Sequence, residues 1–160
     1  MNRQQAWLRG ASAGPITLMI GVALACVAAI AWAQTVKPVS VWSGVYTAAQ
    51  NKRGEVLHTD LCAMCHGPRL NGAGQSEMPP SPAIAGATFL RKWAGGNVAA
   101  LFVIVRHTMP PDGPGTLTDQ QSLDAVAHML AVSGIPAGAR ELPSDPSALA
   151  NIMIDAQPKK

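Results

Sequence analysis

Cys62-Ala63-Met64-Cys65-His66 places two thiols and an imidazole within five consecutive residues. Residues three apart share a face of a helix, so a single turn presents both sulfurs on one side with the imidazole one step further on. With 3 Cys and 4 His in 160 residues, this arrangement arises by accident on the order of 10⁻³ times per chain. A thioredoxin-like redox pair shares the C-x-x-C spacing but requires a βαβ setting, and the segments on both sides of Cys62 read as helical. A structural zinc site requires four ligands. The third cysteine, Cys26, lies far upstream, and His58, His107 and His128 are scattered. A bare disulfide would leave His66 without a role.

C-x-x-C-H is the attachment signature of c-type haem. The thiols reach the two vinyl groups on one porphyrin edge, and the following histidine turns its imidazole toward the iron. An electron-carrying haem of this kind takes methionine on its second face, which raises the reduction potential. Two Met-Pro steps follow the motif, Met78-Pro79-Pro80 and Met109-Pro110-Pro111. Reach does not separate them, because twelve extended residues span up to roughly 40 Å. Placement favours Met109, which stands between two helical segments in a loop stiffened by prolines. Met78 sits in a stretch rich in Gly and Pro with no flanking element to hold it. His107 is the competing histidine, two residues before Met109, and is expected on the rim.

Hydrophobic residues make up 48% of the chain and aromatics only 4%. Such a core lacks the planar groups that normally fill space, and a macrocycle would supply one. The length fits one domain. Residues 1–33 resemble an export leader, with Arg3 and Arg9, an apolar run from Ile16 to Trp32, and Ala31 and Ala33 before Gln34. Cleavage after Ala33 is expected. The competing fates are a retained anchor, since the run approaches the roughly 18 residues of a spanning helix, or lipidation at Cys26, for which Ala23 and Leu24 are a poor match. Beyond residue 33 the chain carries ten basic against nine acidic residues, a balance that argues against a nucleic-acid partner.

Thr47 and Gln50 form a T-x-x-Q capping box that opens a helix over about 48–61 and delivers the chain to Cys62. Gly54 inside it costs roughly 1 kcal/mol relative to Ala, which is reasonable where another helix crosses closely. Thr118 and Gln121 repeat the box ahead of Leu123, Val126, Ala127 and Leu130 at helical spacing, and Gly134 and Pro136 end that helix. Asn97 caps a segment carrying Val98, Leu101, Phe102 and Val105, although its Val-Ile-Val run leaves a strand open. Residues 67–86 have no periodicity and many Gly and Pro, an ordered loop around a prosthetic group. Residues 34–44 read as a lead-in and 136–160 as an extended tail that packs across the surface, with an apolar patch from Leu149 to Ile154.

The order of C-x-x-C-H, Gly-rich loop, Met109-Pro110 and final amphipathic helix resembles class I cytochromes c over roughly 45–135. The resemblance implies an all-α cytochrome c fold with three to five helices around one covalent haem. More narrowly, Val41 to Thr47, Phe89 to Trp93, Thr108-Met109-Pro110 and Pro136-Ala137-Gly138 resemble the small cytochromes and cytochrome domains associated with quinoprotein alcohol dehydrogenases. It further implies that the Pro82 carbonyl accepts a hydrogen bond from the histidine ligand, that Trp93 lies near the haem propionates, and that Arg91, Lys92 and Arg106 offset propionate charge. One departure is plain. Where such proteins pack aromatic rings at the crossing of first and last helices, this chain has His58 and His128, a pair able to make helix docking sensitive to pH.

The function expected is one-electron transfer in the periplasm rather than catalysis, with heme c ligated by His66 and Met109. The partners expected are a dehydrogenase as donor and an oxidase or another cytochrome as acceptor. Two rival readings remain: a sensor or peroxidase whose sixth ligand dissociates, and a haem subunit of a larger dehydrogenase complex docked through its tail.

Overall fold

The computed structural model describes residues 37–74, 76–77 and 81–158. Residues 1–33, read above as an export leader and containing Cys26, and the step Met78-Pro79-Pro80 lie outside the described residues. The first helix, α1 (Ala48–Leu57), starts at Thr47, whose Oγ1 accepts the Gln50 amide at 3.1 Å. Only half of the expected capping box forms. The fully buried Gln50 side chain turns away from the helix end, and its Oε1 accepts the Leu142 amide at 2.9 Å. A tertiary partner on the tail therefore wins over the local one.

The helix does not run on uniformly to residue 61. His58–Cys62 form a wider π-helical turn in which the Ala63 amide bonds back to the His58 carbonyl, and α2 (Ala63–His66) follows. One extra residue in a turn rotates everything beyond it by about 100° relative to an uninterrupted helix. Downstream lie α3 (Gly86–Trp93), α4 (Val98–Thr108) and α5 (Asp119–Val132). Asn97 caps α4 through its side chain, and the Val-Ile-Val run is helical. The capping box of α5 is complete, each partner bonding the other's backbone. Its C-terminus closes on Gly134 at φ +84°, with Gly134 bonding to Ala131 and Ile135 to Leu130. These two bonds satisfy carbonyls that the helix end would orphan.

Helices α1 and α5 cross at Gly54. A Cβ there would overlap the Asp124 carbonyl and stand 2.8 Å from His128 Cβ, so the close approach suspected from sequence is real. Beneath the crossing, Phe89, Leu101, Leu123, Val126 and Leu130 form the buried core. The expectation of an extended tail needs correction. Residues beyond Ile135 form a short helix, α6 (Pro146–Ala150), and a strand, β3 (Ile152–Ile154). That strand lies between β1 (Val39–Ser40), to which it is parallel, and β2 (Gly96–Asn97), to which it is antiparallel. Leu142, Leu149, Ile152 and Ile154 are buried. Alternation of buried and half-exposed residues in Ile152-Met153-Ile154 is the signature of a strand with one covered face. The architecture is thus helical around one core, with a three-stranded sheet stitching both ends of the domain together.

Candidate functional site

A cavity of about 310 Å³ opens where the π-helical turn, α2, the loop after it and the end of α4 converge. Cys62, Cys65 and His66 line it, as do Met109, Pro110 and Pro111. Leu70, Ile84, Val105, Leu117, Ala125 and Met129 complete largely apolar walls. Pro82 belongs to the same lining, and its carbonyl oxygen accepts a hydrogen bond from His66 Nδ1–H at 3.0 Å. Since a carbonyl only accepts, that bond places the ring proton on Nδ1 and leaves Nε2 as the free nitrogen.

The remaining sequence candidates stand apart from the cavity lining. Trp93 packs on Phe89 with ring centroids 6.3 Å apart. Arg106 bonds Asp119 at 2.6 Å and the Gly115 carbonyl at 2.8 Å, and Arg91 bonds Thr88. Lys92 and His107 are exposed. Sequence reasoning placed His58 and His128 at the helix crossing but not at the site, whereas both also line the cavity. It missed Leu70 altogether. This residue is buried, faces the cavity, and adopts φ +55°, the left-handed region that side chains other than glycine rarely enter. No local pattern in the sequence marks it.

The donor set discriminates between chemistries. Burial, and secondarily the neighbouring Cys65, push the Cys62 thiol up to about 11. Redox-active C-x-x-C pairs shift the other way, their thiols lying below the ordinary value. Among the described residues, no group of three or more His, Cys, Asp or Glu side chains is placed to hold a metal ion. Two thiols three residues apart, an adjacent imidazole, a thioether in the same lining and apolar walls do fit a covalently attached porphyrin. The cavity volume sits at the lower end of the roughly 300–1,000 Å³ range of cofactor pockets.

No curated protein matches the chain. Among solved structures, the sulfane dehydrogenase SoxCD from Paracoccus pantotrophus is similar at 19% identity with a TM-score of 0.37, over 82% of this chain and 61% of that one. The model of the family described as cytochrome c oxidase, cbb3-type, subunit III, matches residues 49–129, from the first turns of α1 to near the end of α5. Half of the chain, including every cavity-lining residue named above, falls within that match, and the chain therefore belongs to this family as a class I c-type cytochrome, a haem c protein of electron transfer.

Proposed function

We propose that the chain is an exported, periplasmic one-electron carrier holding a single haem c, attached through Cys62 and Cys65 and ligated by His66 and Met109. One observation carries this reading: the two thiols, the imidazole and the thioether, drawn from separate elements, line one apolar cavity. When bound, the haem supplies a reversible one-electron couple. Pro82 holds the His66 ring by accepting its Nδ1–H, which fixes ring orientation and strengthens the imidazole as a donor. The apolar walls exclude water from the site, so little solvent has to reorganise when the charge changes. Pro110 and Pro111 restrict the backbone beside Met109.

Leu61 and Met64, 46% and 48% exposed, flank the cysteines at the surface. This apolar rim is the proposed contact for transient partners, and redox encounters of this kind are small and weak. A dehydrogenase is the proposed donor, with an oxidase or another cytochrome as acceptor.

Expression of the full chain alongside haem-attachment machinery, followed by cell fractionation and intact mass measurement, tests the proposal. A periplasmic species lacking residues 1–33 and heavier by one haem is expected, with the addition lost in Cys62→Ala/Cys65→Ala. A mass with no haem, or haem extractable by acidified acetone, would refute it.

A further inference from the structure

His58 occupies the first position of the π-helical turn, is 5% exposed, and lines the cavity. Its Nε2 lies 3.0 Å from the Gly67 carbonyl oxygen. A carbonyl has no proton to give, so Nε2–H is the donor and the tautomer is set. The acceptor belongs to the residue immediately after His66. Gly67 has φ +76° and ψ 155°, a conformation essentially reserved for glycine, and a Cβ there would overlap the Ala73 carbonyl. The same Gly67 oxygen accepts the Leu70 amide at 3.1 Å, and the His66 carbonyl accepts the Gly72 amide at 2.9 Å. Leu70, at φ +55°, in turn accepts the amides of Ile84 and Ala85. Gly67 takes its conformation without steric cost because it is glycine, whereas Leu70, three residues further on, is held in a left-handed conformation by the surrounding bonds. From outside this loop, the Gly67 amide bonds back to the Ala63 carbonyl at 2.9 Å, and His58 adds a side-chain bond from the far end of α1.

We propose that His58 is a positioning residue for His66: by fastening the Gly67 carbonyl to α1, it holds the turn that keeps His66 Nδ1–H on the Pro82 carbonyl. The inference rests on His66 being the haem ligand. Pro82 restrains the imidazole at its ring end, and His58 restrains it at its backbone end. Without the second restraint, the turn at Gly67 is freer to shift and the Nδ1–H bond lengthens. A weaker bond at Nδ1 makes the imidazole a poorer donor, so the ferric state loses relative stability and the haem becomes easier to reduce.

Glutamine and phenylalanine separate positioning from packing. His58→Gln retains an N–H donor near the place of Nε2 but loses the ring, whereas His58→Phe retains the ring and loses the donor. The holoprotein and each variant are poised at one fixed ambient potential and the reduced-to-oxidised ratio is read from the visible spectrum. The His58→Phe ratio is expected to rise at least threefold, with the His58→Gln ratio within twofold of wild type. Amide exchange at Leu70 and Gly72 is expected to quicken in His58→Phe and stay slow in His58→Gln. A space-filling role gives the reverse pattern, and that result, or equal ratios in all three proteins, overturns the proposal. Should His58→Phe fail to fold, His58→Met, which also lacks an N–H, takes its place under the same criteria. Ligation by His66 is read separately, from hyperfine-shifted imidazole resonances in the wild-type protein, so their absence would refute that reading and not be mistaken for a His58 effect.

Discussion

The rings of His58 and His128 face one another across the α1–α5 crossing, with centroids 5.5 Å apart and planes tilted by 44°. The Gly67 carbonyl is a polar partner of His58 at 3.0 Å, and the Asn51 side chain is one of His128 at 2.9 Å. Unlike a pair of phenyl rings, these two side chains can take up protons.

Burial holds both histidines below their ordinary range. At His58 the Gly67 carbonyl opposes this while His66 adds to it; at His128, His58 adds and Glu55 opposes. The unfolded chain therefore binds these protons more readily. Stability from the neutral pair is complete above the unfolded value of about 6.5 and drains away as pH falls below it. The melting temperature of the wild type should drop between pH 7 and 5, and the drop should shrink in His58→Phe/His128→Phe. An identical pH dependence in the two proteins would show that the pair does not titrate with unfolding.

Gly54→Ala should destabilise the domain although alanine is the better helix former. The added methyl meets the Asp124 backbone and His128 Cβ, and overpacking of this kind costs about 1–3 kcal/mol, against roughly 1 kcal/mol gained in propensity. Because the obstacle is backbone, the upper part of that range applies, and a net loss of about 2 kcal/mol is expected in urea titration. A variant as stable as wild type would mean that the crossing opens freely.

The tail is a structural part of the domain. Ile154 is fully buried, its carbonyl accepts the Gly95 amide, and the adjacent Asp155 accepts bonds from Ser40 and Trp42. Ile154→Ala should cost about 3 kcal/mol, typical of emptying a buried aliphatic site, and should speed proteolytic cleavage near both ends of the domain. Unchanged resistance to protease would place the tail outside the cooperative unit.

Much of this was legible because the signals were local. Thr47, Asn97 and Thr118 cap helices wherever they stand, Gly134 ends one, and C-x-x-C-H carries its own chemistry. Gly54 was readable as a cost that only close packing repays. What escaped the sequence depends on distant partners. Gln50 looks like a capping residue until Leu142 supplies a buried amide, and Ile152-Met153-Ile154 is too short to announce a strand without β1 and β2 beside it. The π-helical turn leaves no periodic trace over five residues. Leu70 adopts a left-handed conformation that nothing in its neighbourhood predicts, and the second role of His58, at the cavity, exists only because the chain folds back to bring Gly67 over it.

Ligation by His66 and Met109 is tested most directly by the weak far-red absorption band that ferric haem gains from a thioether ligand. The account predicts the band in the wild type and in Met78→Ala, and its loss in Met109→Ala. A band that survives Met109→Ala and disappears in Met78→Ala would contradict it.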